Sequence, residues 1–100
     1  MTDHRGYDIV EMARKSGKIK KGTNEVTKLL ERGTAKAVIY AADVNPKEIV
    51  MHLPLLAKEK GILCIEVPSK EELGAAAGLT KPTAAVAITD AGDAANMLKE

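Results

Sequence analysis

The densest group of chemically versatile side chains lies in the run Gly22-Thr23-Asn24-Glu25-Val26-Thr27-Lys28. Val26, Leu29 and Leu30 fall on one face of a helix, which puts Asn24 and Lys28 on the opposite face and Glu25 on its flank near the start. Free amides at a helix start attract phosphate or an electronegative base edge. Asn24 can donate and accept, Lys28 can donate to guanine oxygen and nitrogen, and Glu25 can accept from a guanine N–H. A carboxylate on a phosphate-binding surface repels nucleic acid unless a base donor meets it. Guanines whose Watson–Crick edge is unused, as in sheared G·A pairs, present such donors. Ordinary duplex RNA hides its major groove, so the matching site would be distorted and widened. The structural account of the same residues is a plain helix N-terminus, with Glu25 capping Gly22 and Asn24 capping its own turn.

Charge is distributed to suit either account. The formal net charge is only +1, but residues 1–50 carry ten Lys/Arg against seven Asp/Glu, and residues 51–100 five against seven. Arg14, Lys15, Lys18, Lys20, Lys21 and Lys28 face a single acid, Glu25, across fifteen positions. Such a field steers phosphate backbones towards one place on the surface. A solvated charged turn between a helix and a strand has the same composition.

Other chemistry finds little support. His4 and His52 lack metal-ligand spacing, and the glycines form neither a phosphate loop nor a dinucleotide fingerprint. Asp43 and Asp90 both follow apolar runs and could share a sheet edge in a small hydrolytic or nucleotide-binding protein, but read more simply as turn carboxylates. Cys64 is the only cysteine and sits between Leu63 and Ile65, so a reduced, buried structural thiol is expected. No disulfide can form within the chain, which suits a cytoplasmic location. No apolar stretch is long enough to span a bilayer. With no Phe or Trp and only Tyr7 and Tyr40 as rings, the chain cannot offer a wide stacking platform for single-stranded bases.

These residues need elements to hold them. One hundred residues suit one domain, here residues 1–100. Ile9, Met12, Ala13 and Ser16 predict a helix over about 7–16, stopped by Gly17. Lys18 to Lys21 is a short extended or turn segment, and a helix follows over about 23–32, ended by Gly33. Ala37 to Ala41 is a compact apolar strand. Pro46 suits a first helical position and Pro54 should interrupt, so two short helices are expected at about 46–50 and 54–60. Ile62 to Val67 is a second strand, and Ser69 with Glu72 forms a capping box for a helix over 70–77. Ala84 to Thr89 is a third strand, and 91–98 a last helix. Central strands apolar on both faces and separated by helices imply a three-layer α/β/α sandwich. Its alanine-rich layers must approach closely.

At Gly22 to Lys28 the sequence resembles the kink-turn-binding ribosomal protein family of the large subunit, specifically its archaeal seven-Ae branch. Further matches are Ala41-Ala42-Asp43-Val44, Val50 to Leu56, the Ser69-Lys70 pair with Leu73-Gly74, and Ala76-Ala77-Gly78-Leu79. They occur in the family's order and cover roughly residues 10–90. The resemblance implies an α/β/α sandwich around a four-stranded mixed β-sheet, with Ile19 to Lys21 as the fourth strand. It implies no enzyme activity, catalytic residue, cofactor or metal. Kink-turn or kink-loop RNA is the implied ligand, its tandem sheared G·A pairs adjoining a bulge. Asn24, Glu25 and Lys28 match positions that read the two guanines, Lys21 adjoins them, and Gly22 matches a glycine whose backbone approaches the RNA. Asn45, Ile49, Lys70 and Lys81 match positions lining the pocket for the everted nucleotide, with Asn45 and Lys81 standing where some relatives carry Glu and Arg. Leu79 and Thr80 belong to the loop covering the bulge.

The implied partners are ribosomal RNA, box C/D and H/ACA guide RNAs and ribonuclease P RNA, together with guide-particle proteins. The protein would be a monomer when free and would stabilise the bend for ribonucleoprotein assembly. The alternative is an α/β scaffold or protein-interaction module with only generic basic-patch affinity for RNA. Two departures from archaeal relatives are the short leader, Met1 to Gly6, and the end at Glu100. Both bear on stability more than on recognition.

Overall fold

The computed structural model describes residues 5–43, 48–90 and Gly92. Its elements are α1 (Arg5–Ser16), β1 (Lys18–Lys21), α2 (Thr23–Arg32), β2 (Ala37–Ala41), α3 (Glu48–Lys60), β3 (Leu63–Val67), α4 (Lys70–Ala76) and β4 (Ala85–Asp90). The strands form one sheet in the order β1-β4-β2-β3. β2 and β3 run parallel, and β4 is antiparallel to both β1 and β2. The sheet is therefore mixed and four-stranded. α1 packs with α4, and α2 with α3, as the two helical layers of an α/β/α sandwich.

Register explains how so few large side chains fill the core. Ile39 pairs with Val86 on one strand and Ile65 on the other, so branched side chains meet on one face. Ala87 and Ala85 of β4 lie opposite Val38 and Tyr40 on the other face, where small residues let α2 lie close to the sheet. Ile9, Val10 and Ala13 of α1 and Val26 and Leu30 of α2 are completely buried. Leu29 is only partly so, which narrows the predicted stripe on α2. Ser16, expected on the inner face of α1, is exposed and donates back to the Met12 carbonyl at 2.7 Å.

The main departure from expectation is α3. Pro54 lies inside one continuous helix, Glu48–Lys60, in place of the two short helices expected over 46–50 and 54–60. Proline removes one helical donor and crowds the preceding turn, a cost of about 3 kcal/mol in an ordinary helix interior. Here Leu53 and Ala57, one turn apart and completely buried, hold the segment on the core through the interruption. Tertiary packing outweighs the local penalty. Apart from Gly92, the helix expected over 91–98 lies outside the described residues, as does the turn Val44-Asn45-Pro46.

Cys64 is half-buried on the edge strand β3, less enclosed than a core thiol. Burial pushes it up to about 12, with the Glu66 carboxylate adding to the effect. Tyr40 donates to Glu66 Oε2 at 3.4 Å and is likewise pushed up to about 12, chiefly by burial.

Candidate nucleic-acid interface

The start of α2 is bare in a way that a plain surface helix is not. Its N-cap, Gly22, has φ 101° and ψ 140°, and no side chain caps the helix. The expected capping by Glu25 or Asn24 is therefore not formed. First-turn amides are left for solvent or a ligand. The φ value disfavours any side chain, yet a Cβ built there meets nothing within 4 Å. Gly22 is thus required by backbone conformation, and the space in front of it is open to an approaching molecule. Its own N–H donates to the Ala85 carbonyl at 3.1 Å, and its carbonyl accepts from Val26 N at 3.0 Å.

Asn24, Glu25 and Lys28 are all exposed, opposite completely buried Val26 and Leu30. Among the described residues none of the three side chains holds a hydrogen bond or ion pair. One acceptor-only, one donor-only and one mixed group therefore stand together with their capacity unspent. Lys21, the last residue of β1, is exposed immediately before Gly22.

A lattice of backbone bonds ties this helix start to the other candidate positions. Gly22 is bonded to the first residue of β4, and Ala41 N, at the end of β2, donates to the Ala84 carbonyl at 2.9 Å. Asp43 Oδ1 accepts from Lys70 N at 2.8 Å, so the carboxylate after β2 caps α4. Lys70 in turn accepts from Thr83 N at 3.2 Å. Ser69 Oγ accepts from Glu72 N at 3.2 Å, forming one half of the predicted capping box, whereas Ser69 N donates to Tyr7 Oη at 2.9 Å in place of the Glu72 carboxylate. Lys70, Leu79, Thr80 and Lys81 thereby sit at the same end of the sheet as the start of α2.

The covering loop is seated by glycine. A Cβ on buried Gly74 would run into the Lys81 carbonyl and Pro82 backbone, so its absence lets residues 79–83 lie directly on α4. Leu79 N donates to the Gly74 carbonyl at 2.9 Å. Leu79, Thr80, Lys81 and Pro82 then line a cleft of about 340 Å³ with Glu71 and Ala75. Glu71 and Pro82 were not among the predicted positions. No local signal in the sequence marks Glu71, whose place depends on how the loop folds back. Asn45 lies outside the described residues. Ile49 is on α3, and the described side chains do not include it.

The basic run divides. Arg14 is not free for a ligand, because its Nε donates to the Ala76 carbonyl at 3.2 Å and its side chain lies against Gly78. It closes the C-terminal end of α4 from α1, a favourable place for a cation. Lys18, Lys20 and Lys21 lie exposed on β1, a sheet edge, where lysines also discourage pairing with another chain. Lys15 is exposed at the end of α1. Asp90 Oδ1 accepts from Gly92 N at 3.1 Å, so both candidate catalytic aspartates are engaged turn carboxylates. Among the described residues no group of three or more His, Cys, Asp or Glu could hold a metal ion. No described helix is long and apolar enough to cross a membrane.

Sequence reasoning set His52 aside as an unpaired histidine. In the fold its Nε2 lies 2.8 Å from Thr27 Oγ1, which also lies 2.8 Å from the Thr23 carbonyl. α3 is thereby joined to the first turn of α2.

Comparison with known proteins supplies the relationship. The sequence model of the ribosomal protein L7Ae/L30e/S12e/Gadd45 family matches residues 4–98. The solved structure of a Giardia lamblia 15.5kD RNA binding protein superposes with a TM-score of 0.82 at 34% sequence identity. The match covers 98% of this chain and 84% of that one. A family model matching nearly the whole chain, with a solved structure of this identity and coverage, shows that the chain belongs to the ribosomal protein L7Ae/L30e/S12e/Gadd45 family.

Proposed function

We propose that this is a non-catalytic RNA-binding protein that recognises kink-turn or kink-loop RNA and stabilises its bend. The observation that carries this function is the uncapped start of α2, where Asn24, Glu25 and Lys28 stand exposed and unengaged among the described residues. Glu25 and Asn24 would accept from guanine N–H groups of sheared G·A pairs, and Lys28 would donate to guanine O6 and N7. Gly22 would admit the RNA backbone. Lys21 would meet phosphate, and Lys70, Leu79, Thr80 and Lys81, with Asn45 and Ile49, would receive the everted nucleotide. Family membership and the likeness to the Giardia lamblia 15.5kD RNA binding protein agree with this direction.

At finer grain we propose ribosomal RNA, box C/D and H/ACA guide RNAs and ribonuclease P RNA as ligands, with guide-particle proteins joining the assembled particle. The free protein would be a cytoplasmic monomer, a single RNA-binding domain of the archaeal branch. These assignments rest on the motifs at 22–28, 41–44, 50–56 and 69–79.

A second function, a scaffold or protein-interaction module with generic RNA affinity, is favoured by the structural roles found within the basic run. Arg14 closes α4, and three lysines guard a sheet edge. A mobility-shift titration decides between them. A kink-turn RNA should bind far more tightly than the same RNA with its G·A pairs changed to Watson–Crick pairs. Equal binding with a steep salt dependence favours the generic module.

A further inference from the structure

We propose that His52 is a positioning residue for RNA recognition, acting through Thr27 to hold the first turn of α2 in its binding geometry. The inference rests on the proposed role of that turn. Thr27 has one hydroxyl proton and two polar neighbours, each at 2.8 Å. The Thr23 carbonyl can only accept, so the Thr27 proton must point to it. Thr27 Oγ1 must then accept, and His52 Nε2 must carry a proton. The histidine is thus the Nε2–H tautomer or the imidazolium, and both supply the same donor.

The consequence falls on the reading side chains. A threonine that bonds back to the carbonyl four residues earlier alters the local curvature of a helix. Here the bonded carbonyl belongs to Thr23, directly before Asn24 and Glu25, and Thr27 directly precedes Lys28. The same turn has no side-chain cap, so apart from its backbone bonds and buried Val26 the Thr27 hydroxyl is the side-chain bond that holds it. The His52 donor prevents the Thr27 hydroxyl from rotating away from Thr23. Thr27 and His52 are both half-buried between α2 and α3, where α3 can brace the start of α2. Loss of the donor would leave the fold largely in place while letting Asn24, Glu25 and Lys28 wander from a shared geometry. Recognition that needs several hydrogen bonds at once is sensitive to such misplacement.

The test uses the full chain and two RNAs, a kink-turn and the same RNA with Watson–Crick pairs in place of G·A. The wild type must first prefer the kink-turn; without that preference the proposed function fails before this inference is reached. His52→Leu should then weaken kink-turn binding by about three- to tenfold, the worth of one hydrogen bond, without changing the affinity for the substituted RNA. His52→Gln, whose amide can place a donor near Nε2, should restore most of the loss. Thr27→Val should lose as much as His52→Leu and Thr27→Ser little, which keeps the test available should the leucine variant not fold. Thermal melting run alongside separates lost folded protein from lost affinity. Combined His52→Leu and Thr27→Val should lose no more than either alone. Wild-type affinity in a folded His52→Leu or Thr27→Val variant overturns the inference, as does a glutamine variant no better than leucine.

Discussion

Individual side chains at the start of α2 carry the claim of base reading, and each can be removed without touching the core. Asn24→Ala and Lys28→Ala should each weaken kink-turn binding by about 1–3 kcal/mol at fixed salt, because each removes guanine-edge hydrogen bonds. Both are exposed and hold no side-chain partner among the described residues, so stability should stay nearly constant. Titrations against kink-turn and plain duplex separate the effects, and equal losses on both would mean phosphate contact alone. Cys64 makes a contrasting case. Its thiol, ordinarily at 9.0, is pushed up to about 12 in the fold, chiefly by burial. The unfolded chain therefore loses this proton first as pH rises, and stability should fall through the window from 9 to about 12. Tyr40, raised from 10.0 to about 12, adds to the same decline. Cys64→Val should keep fold and RNA affinity at neutral pH and flatten part of the alkaline loss. Denaturant midpoints at pH ~8 and ~10.5 check this.

Among the elements, α4 and its following loop depend on what Gly74 lacks. Gly74→Ala gains about 1 kcal/mol of helix propensity. Its methyl would nevertheless meet the Lys81 carbonyl and the Pro82 backbone, which cannot swing aside as a flexible side chain could. Net destabilisation of about 1–3 kcal/mol is expected, measured by denaturant unfolding, with displacement of Leu79 to Lys81 seen as changed amide resonances. This dependence was hidden in the sequence, where Gly74 looks like a weak spot in a helix. By contrast α2 was legible from end to end, because Gly22 and Gly33 bracket a clear apolar stripe. β2, β3 and β4 were legible as apolar runs between turn residues. β1 was foreseen only through the family resemblance, as the fourth strand over Ile19 to Lys21, since its Lys18-Ile19-Lys20-Lys21 composition reflects an edge position paired with β4. α3 misled because Pro54 is a reliable local breaker, and the burial of Leu53 and Ala57 that overrides it is a long-range fact. Within the site, helical spacing alone exposed Asn24, Glu25 and Lys28. The positions in the loop over 79–81 came only through family resemblance. The His52–Thr27 bond joins residues 25 positions apart and left no local trace.

At the scale of the whole molecule, a net charge of +1 makes a weak general attractor for RNA. Selectivity must come from a local arrangement, and Glu25 is the residue on which generic and specific attraction disagree in sign. Replacing it with Gln raises the net charge by one and removes an acid from the basic neighbourhood of Lys21 and Lys28. If long-range attraction governed binding, every RNA would bind as well or better. If the carboxylate accepts guanine N–H groups in a desolvated contact, the amide satisfies fewer of them and turns its own donors towards a donor. Glu25→Gln should therefore weaken kink-turn binding by about 1–3 kcal/mol and leave an unkinked duplex bound equally or slightly better. Both affinities measured at one salt concentration give the most direct test. A loss confined to the kink-turn is the predicted result, and a gain on both RNAs would contradict base-specific recognition at α2.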